Sequence, residues 1–334
     1  MKNAARKVTP LRESYRAVKN VVYSVTTSNA KRDASGKFRH LSGLDRPYFV
    51  IGIPGSLHLL QLCLRYVPAD NDVVLVSNGL DAWERDWASR QLTNVRSVIS
   101  IGKMLRHGDL LDLIIRNYRQ PFGILDYDCL VFDPALLRAL GDIDSMSMFN
   151  AAYAYTNRTL NIQFPETFFL FLNGPLLLGL EEKYRVSSDI YAARSVPASV
   201  WKRLATIGID RQHFPEEHKQ YFDTLRLLVA LGYADGYKGN FVEQIPAIPR
   251  PNHRLFHAGG AAYPGFPMDE WGTAGVYLWR RALDENPDAE LKERYRAKYG
   301  GYGADEVLRA SSRFVQSIGK DVFDFIDRTI DRQI

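Results

Sequence analysis

The sequence has few cysteines and no long uninterrupted apolar run. Two of the 334 residues are cysteine, Cys63 and Cys129, and both lie in apolar surroundings. We therefore expect no disulfide framework and no paired-cysteine zinc motif, only reduced core cysteines of a cytoplasmic protein. The longest apolar stretch, residues 168–180, contains an Asn-Gly-Pro turn and is shorter than the roughly 20 residues that a membrane-spanning helix needs. No apolar run of signal-peptide length follows the basic N-terminus, so we expect no signal peptide.

An excess of positive charge is found at one end of the chain. The chain carries 43 Lys and Arg against 38 Asp and Glu, a net charge of +5. Residues 1–40 contain ten basic and two acidic residues, so this segment carries +8 and the other 294 residues carry −3. This distribution disfavours a nucleic-acid partner, because such a partner needs a basic surface on the folded body. With 46% apolar residues, the chain has enough material for one large domain or two small ones.

Residues 1–46 are predicted to form a basic N-terminal extension. Apolar residues recur there at helical spacing, namely Leu11, Tyr15, Val18, Val22 and Val25. The β-branched residues within 21–27 also allow a strand, and residues 28–43 are polar and predict a loop. Three roles stay open for the extension: packing on the rest of the chain, self-association into a homo-oligomer, or peripheral docking on an anionic membrane surface.

From residue 47 the sequence alternates between apolar strands and amphipathic helices. Apolar strands separated by helices are typical of a parallel sheet covered on both faces, which binds its ligands at the carboxyl ends of the strands. The predicted strands are 48–53, 72–77, 95–101 and 122–132, with helices at 56–66, 81–92 and 103–119. Further strands at 146–154 and 167–172, a helix at 216–231 and a helical tail from about 287 follow. We therefore predict an α/β fold, a Rossmann-type sheet with a mixed C-terminal half.

The segment 122–132 contains the most informative motif, Asp126-Tyr127-Asp128. If the strand continues through it, both carboxylates point to one side of the strand. Carboxylates inside an apolar run are costly to bury without a positive partner, and a divalent cation such as Mg²⁺ or Mn²⁺ would supply one. The alternative is a strand that ends at Leu125, with both carboxylates in a solvated turn or capping a helix near Pro134.

The order of motifs resembles that of the GT-A glycosyltransferases, which use nucleotide-diphosphate sugars. In that group an Asp-x-Asp at a strand end holds the metal, matched here by Asp126 and Asp128. An Asn-Gly strand approach, a helix with an acidic residue and a His-x-Gly follow, and their best matches are Asn173-Gly174, Asp223 within 221–225, and His257-Ala258-Gly259. The resemblance covers roughly residues 47–265. A lysine that grips the diphosphate in the glycogenin-like branch is Ala262 here, so we assign no branch.

The resemblance implies a reaction and a set of roles. A hexose would pass from a nucleotide-diphosphate sugar to a hydroxyl of a glycan, lipid or small-molecule acceptor. Mn²⁺ or Mg²⁺ would be held by Asp126, Asp128 and His257. For an inverting reaction Asp223 is the first candidate for the general base, ahead of Glu166 and Asp189. Predicted nucleotide and diphosphate contacts are Ile53, Pro54, Asn78, Lys103, Arg106, Asp126 and Gly259.

Two other functions fit the same pattern. A nucleotidyltransferase also uses an α/β domain and a metal, but it usually carries a basic Gly-rich loop after the first strand, where this chain has Ile53-Pro54-Gly55-Ser56. A GT-A-like protein without catalytic activity could instead recognise a partner through its helical tail. An NAD-type Rossmann domain is disfavoured because no Gly-x-Gly-x-x-Gly follows the first strand. We predict an extension at 1–46, a catalytic domain at 47–265 and a helical segment at 266–334.

Overall fold

The protein is represented by a computed structural model that describes residues 10–41, 43–157, 160–213, 221–242, 253–258, 273–300 and 320–331. Its helices are α1 Pro10–Ser35, α2 Leu57–Arg65, α3 Ala82–Gln91, α4 His107–Asn117, α5 Pro134–Gly141, α6 Gly174–Tyr184, α7 Ala198–Leu204, α8 Arg226–Ala234, α9 Thr273–Asp284, α10 Ala289–Tyr299 and α11 Lys320–Asp331. Within these residues, no helix is long and apolar enough to cross a membrane.

The centre of the described structure is a seven-stranded sheet. Its strands are β1 Tyr48–Gly52, β2 Val73–Asn78, β3 Ser97–Ile101, β4 Phe122–Asp126, β6 Ser147–Ala151, β9 Phe169–Leu172 and β12 Lys238–Phe241, in the order β12-β6-β9-β4-β1-β2-β3. β9 is antiparallel to its neighbours β4 and β6, and the other pairings are parallel. The predicted α/β fold with a parallel first half and a mixed second half is confirmed.

Short strands pair outside this sheet. They are β5 Cys129–Leu130 with β13 Phe256–His257, β7 Ala154–Asn157 with β8 Ile162–Pro165, and β10 Tyr191–Ala192 with β11 Tyr221–Phe222. The single strand predicted at 122–132 is therefore wrong: β4 ends at Asp126, a turn follows at Tyr127 and Asp128, and β5 pairs with β13 instead of the sheet. Helix 216–231 is also revised, since α8 begins at Arg226 and residues 214–220 lie outside the described part.

Both faces of the sheet are covered, as the unbroken apolar strands predict. Along β1, Tyr48 and Val50 point into a core that α2, α5 and the C-terminal helices share, while Phe49 and Ile51 point into a core with α4, α6 and α8. Burial of this kind contributes about 25 cal/mol per Å² of apolar surface. Cys63 and Cys129 are buried and unpaired, in agreement with their prediction as core residues.

The basic segment after residue 27 is helical and packs on the sheet domain. The predicted loop at 28–43 is wrong, because α1 continues to Ser35 and a 3-10 helix covers Gly36–Leu41. Lys31 and Tyr23 both bond the Asp109 carboxylate of α4, which compensates a charge that is nearly buried. Ala34, Phe38 and Leu41 lie in the core beneath this helix. Val22 and Val25 are exposed, and the side chains of Leu11, Tyr15 and Val18 lie outside the described part.

The packing of this segment predicts a stability effect. Phe38 is 2% exposed and its ring lies 6.1 Å from that of Phe49. We expect Phe38→Ala to lower the free energy of unfolding by about 3–5 kcal/mol, because it leaves a cavity in the core. Val25→Ala on exposed α1 should change it by less than about 0.5 kcal/mol. Denaturant unfolding measures both, and equal values for the two variants would contradict the packing.

A carboxyl pair on the other face gives the fold a pH dependence. Glu181 of α6 is 3% exposed and accepts a hydrogen bond from the Arg116 Nε at 2.9 Å. The pKa of Glu181 is raised from 4.5 to about 8, chiefly by burial. The neighbouring Asp112 carboxyl also raises this pKa, whereas Arg116 lowers it. Glu181 therefore holds a proton in the folded chain at neutral pH.

Because the folded chain loses this proton as the pH rises, the fold becomes less stable at high pH. A group whose pKa is higher in the folded chain stabilises the fold fully below its unfolded pKa, and that contribution is lost as the pH rises through the folded value. From pH 5 to pH 9 we expect Glu181→Gln to gain more than about 1 kcal/mol of unfolding free energy relative to the unchanged chain. Glu182→Gln, an exposed neighbour, should gain none. Parallel pH profiles for all three chains would contradict the assignment.

Candidate functional site

The carboxyl ends of the parallel strands meet at one edge of the sheet. β1 lies between β2 and β4, and the register pairs Ile51 of β1 with Asp126, the last residue of β4. The loops after β1, β2 and β4 therefore open on the same edge, where sheets of this kind bind ligands. Asn173-Gly174 follows β9, which is antiparallel to β4, so it lies at the opposite edge of the sheet. The Asn173 side chain caps α6 by accepting a hydrogen bond from the Leu176 N–H at 3.2 Å. The predicted approach of Asn173-Gly174 to this site is wrong.

Three side chains converge at this edge: Asp126, Asp128 and His257. Their ligand atoms lie within 4.8 Å of one another. Asp128 lies in the turn after β4, and His257 reaches it because β13 pairs with β5 and places His257 opposite Cys129. The His257 Nε2 is 3.4 Å from the Asp128 Oδ1. The structure thus brings together the three residues that the sequence predicted as metal ligands.

The three groups interact closely, and Asp128 is buried while Asp126 and His257 are half-buried. Asp128 is 4% exposed. Burial raises the pKa of Asp126 to about 8, the Asp128 charge adds to the rise, and His257 opposes it. Burial lowers the pKa of His257, but the two carboxylates outweigh that effect and raise it. The carboxyl groups therefore favour a positive charge beside them, which a protonated His257 would supply. The alternative of two carboxylates in a solvated turn is wrong.

An aromatic wall supports the imidazole. The ring of Phe168 stacks on His257 with centroids 3.9 Å apart, and Tyr153 packs on Phe168 at 5.2 Å. The Asp126 N–H donates to the Phe168 carbonyl at 2.8 Å, which joins this wall to the end of β4. Beside it, the Arg226 guanidinium bonds Glu166 at 2.9 Å. Glu166 is also one of the groups whose charge raises the pKa of His257.

The loop after β1 is fixed by buried side chains. Gly55 has φ +83°, a conformation that favours glycine, and its N–H donates to the Glu84 carboxylate of α3 at 2.8 Å. Glu84 is 1% exposed and also accepts from the Asp81 N–H and the Tyr295 hydroxyl. Trp279 donates its indole N–H to the Gly55 carbonyl at 2.7 Å. The predicted contacts Ile53 and Pro54 therefore lie in a loop with a fixed shape.

The other predicted nucleotide contacts lie on neighbouring loops. Asn78 ends β2 and brackets the next loop, since its amide bonds both the N–H and the carbonyl of Leu105. Lys103 is exposed in that loop. Arg106 lies with its guanidinium 4.1 Å above the Tyr23 ring, and its peptide N–H donates to the Tyr23 hydroxyl. Gly259 lies outside the described residues, so its role stays a prediction.

Asp223 lies at the start of the α8 region rather than within a long helix. Burial lowers the pKa of His107 to about 4, and the Asp223 charge opposes that shift, so Asp223 faces the first turn of α4. Its carbonyl accepts from the Arg226 N–H at 3.1 Å. Asp189 also lies against the start of α4, beside Gly108. Asp223 and Asp189 thus lie near the start of α4. The role of Asp223 as a base stays a prediction.

Comparison with known proteins finds similarity to glycosyltransferases over part of the chain. Residues 28–177, somewhat less than half of the chain, match the family model of the StrH glycosyltransferase N-terminal domain. A curated relative is the dTDP-dihydrostreptose–streptidine-6-phosphate dihydrostreptosyltransferase of Streptomyces griseus, 34% identical over 94 residues. That match covers 27% of this chain and 24% of the relative, so the chain spans about a quarter of the length of that protein.

Residues 28–177 are related to StrH-type glycosyltransferases. The predicted glycosyltransferase relationship is confirmed, and the GT-A assignment stays a prediction. A solved structure, glycosyltransferase GlyE of Streptococcus pneumoniae TIGR4, is 16% identical with a TM-score of 0.30, covering 42% of this chain and 39% of that one. A likeness this slight has no bearing on the fold.

Sequence reasoning missed the residues that fix the site from other elements. Glu84, Trp279, Tyr153 and Arg226 are far from the Asp-x-Asp motif along the chain. One of them had a local signal: Asp81-x-x-Glu84 is a capping box, and the box is present at the start of α3. It predicts a helix start, but the bond from Glu84 to the β1 loop depends on tertiary packing.

The anchoring of the β1 loop predicts a large effect for a small change. Glu84→Gln keeps the shape of the side chain but places an amide donor where Glu84 accepts from N–H or O–H groups. We expect a loss of about 1–3 kcal/mol of unfolding free energy, because at least one buried donor is left without an acceptor. Thermal unfolding measures it, with Asp86→Asn, exposed on the same helix, as the matched control. A Glu84→Gln variant as stable as Asp86→Asn would contradict the anchor.

Proposed function

We propose that this chain transfers a sugar from a nucleotide-diphosphate sugar to a hydroxyl of an acceptor, with a divalent cation at Asp126, Asp128 and His257. The observation that carries the proposal is the convergence of these three side chains at the carboxyl end of β4. The relationship of residues 28–177 to glycosyltransferases supports the same reaction class.

The residues fit a divalent cation by their chemistry. Two carboxylates within 4.8 Å of each other repel, and the raised pKa of Asp126 records that repulsion together with burial. Carboxylate oxygens suit Mg²⁺ or Mn²⁺, and an imidazole suits Mn²⁺ as well. When bound, the cation would supply Lewis-acid stabilisation of the departing diphosphate.

The chain's own groups would prepare the transfer. In the reaction the bond from the anomeric carbon to the diphosphate oxygen breaks, and a bond to the acceptor oxygen forms. The nucleoside diphosphate leaves, and in an inverting reaction Asp223 would accept the proton of the acceptor hydroxyl. The loop at Gly55, fixed by Glu84 and Trp279, would present a preformed wall to the nucleotide.

The choice of nucleotide and acceptor follows from the relative. The Streptomyces griseus protein is named for a dTDP-sugar donor and streptidine-6-phosphate as acceptor. We therefore propose a dTDP-sugar as the first donor to test, with streptidine-6-phosphate as the first acceptor. UDP, GDP and CDP complete the panel.

The proposal predicts a metal-dependent stabilisation by nucleotides. With Mn²⁺ and dTDP at about 100 times the Kd, the unfolding free energy should rise by about 2.7 kcal/mol. Asp128→Asn removes one carboxylate of the cluster and should abolish the rise, whereas Asp70→Asn, exposed on the surface, should keep it. Thermal unfolding of the full chain measures all three.

Two outcomes would count against the proposal. A chain that gains no stability from any of the four nucleoside diphosphates with Mn²⁺ would contradict nucleotide binding. A rise that Asp128→Asn retains in full would show that nucleotides bind without the three-residue cluster. Release of free sugar from the matching nucleotide sugar then separates an enzyme from a binding protein.

A further inference from the structure

A polar pair lies next to the three-residue cluster, and the proposed transfer, which assigns the base to Asp223, gives this pair no role. It consists of the Tyr153 hydroxyl and the Glu166 carboxylate. The Glu166 N–H donates to the Tyr153 carbonyl at 3.3 Å, and two residues later the Phe168 carbonyl accepts from the Asp126 N–H at 2.8 Å. These main-chain bonds attach the pair to the end of β4, beside the carboxylates.

Glu166 is held in place by a buried cation. The Arg226 side chain is 7% exposed and its guanidinium bonds Glu166 at 2.9 Å, whereas the Glu166 side chain is 33% exposed. The residue before Arg226, Leu225, is buried with φ +69°, a left-handed conformation that leucine rarely adopts. The fold therefore holds Arg226 beneath Glu166 at a cost in backbone strain and leaves part of the carboxylate open to solvent.

The Tyr153 hydroxyl has an unmet bonding capacity. Tyr153 is 5% exposed, and among the described residues its hydroxyl has no hydrogen-bond partner. Its ring packs on Phe168, which in turn stacks on His257, so the Tyr153 ring belongs to the aromatic wall beside the three-residue cluster. Buried hydroxyls are rarely left unpaired, and a ligand group bound at this wall would supply the missing partner.

We propose that Glu166 and Tyr153 bind hydroxyl groups of the donor's sugar ring, and that Arg226 positions Glu166 for this contact. The proposal rests on the proposed function, since a diphosphate held at Asp126 and Asp128 brings its sugar within reach of this wall. A carboxylate and a phenol are suitable partners for sugar hydroxyls. The ligand part is neutral, because the negative charges of Glu166, Asp126 and Asp128 together disfavour a further anionic group.

The test compares a nucleotide sugar with the same nucleotide lacking the sugar. Calorimetric titration of the full chain with Mn²⁺ gives Kd values for dTDP and dTDP-glucose, or for UDP and UDP-glucose if uridine is preferred. We expect Glu166→Gln and Tyr153→Phe each to raise the Kd of the nucleotide sugar about 5- to 30-fold, the range of a lost hydrogen bond. The Kd of the nucleoside diphosphate should stay within about twofold. Glu293→Gln and Tyr237→Phe, away from the cluster, should change neither value.

Arg226→Lys separates positioning from direct contact. Lysine keeps the charge but cannot reproduce the guanidinium geometry. We expect Arg226→Lys to raise the Kd of the nucleotide sugar as much as Glu166→Gln does. The double variant Arg226→Lys with Glu166→Gln should bind the nucleotide sugar no more weakly than Glu166→Gln alone. Additive losses would overturn the positioning role.

The outcomes distinguish this subsite from the proposed function. If the unchanged chain binds no nucleotide, the proposed function fails and the subsite with it. If nucleotides bind but Glu166→Gln and Tyr153→Phe leave the sugar-dependent affinity intact, the subsite alone is overturned. An equal loss for the nucleotide with and without its sugar also overturns it, because the two side chains would then act on the diphosphate or on the fold.

Discussion

Two carboxylates at the end of one buried strand set the requirement that the surrounding structure meets. Asp126 and Asp128 lie close together, and burial and the neighbouring Asp128 charge both raise the pKa of Asp126. The compensating group comes from a distant part of the sequence. The pairing of β13 with β5 places the His257 imidazole against Asp128. The turn that ends β4 directs β5 away from the central sheet, and β13 pairs with β5 there.

At the same edge, buried side chains fix the loop after β1. Glu84 from α3 and Trp279 from α9 bond the N–H and the carbonyl of one peptide segment at Gly55, so two helices fix the loop after β1. Because Tyr295 of α10 shares the Glu84 carboxylate, the C-terminal helices take part in shaping this loop. A site whose walls are fixed before binding loses less conformational freedom when the ligand arrives. The C-terminal helices are thus coupled to the site, although they lie outside the residues related to StrH.

The sequence predicts the features that local patterns encode. Unbroken apolar strands between amphipathic helices indicated a parallel sheet covered on both faces. The resemblance to GT-A glycosyltransferases implied the cluster of Asp126, Asp128 and His257. The failures share a cause. The turn at Tyr127-Asp128 and the helix through residues 28–35 depend on partners elsewhere: β5 leaves for β13, and the basic helix is stabilised by Asp109 and the core beneath Phe38. Glu84 and Arg226 could not be recognised because their partners are remote in the sequence.

The basic N-terminal segment is also more closely tied to the site than its charge suggests. Lys31 and Tyr23 bond Asp109, and the Tyr23 hydroxyl accepts from the peptide N–H of Arg106 while its ring lies under the guanidinium. Arg106 is a predicted diphosphate contact, and its orientation therefore depends on α1. Part of the positive charge of residues 1–40 is paired within the molecule, because Lys31 forms an ion pair with the Asp109 carboxylate, which is only one-tenth exposed. The excess charge and the chemistry of the sheet edge are thus linked through one helix, and the StrH match, which begins at residue 28 within α1, includes part of that helix.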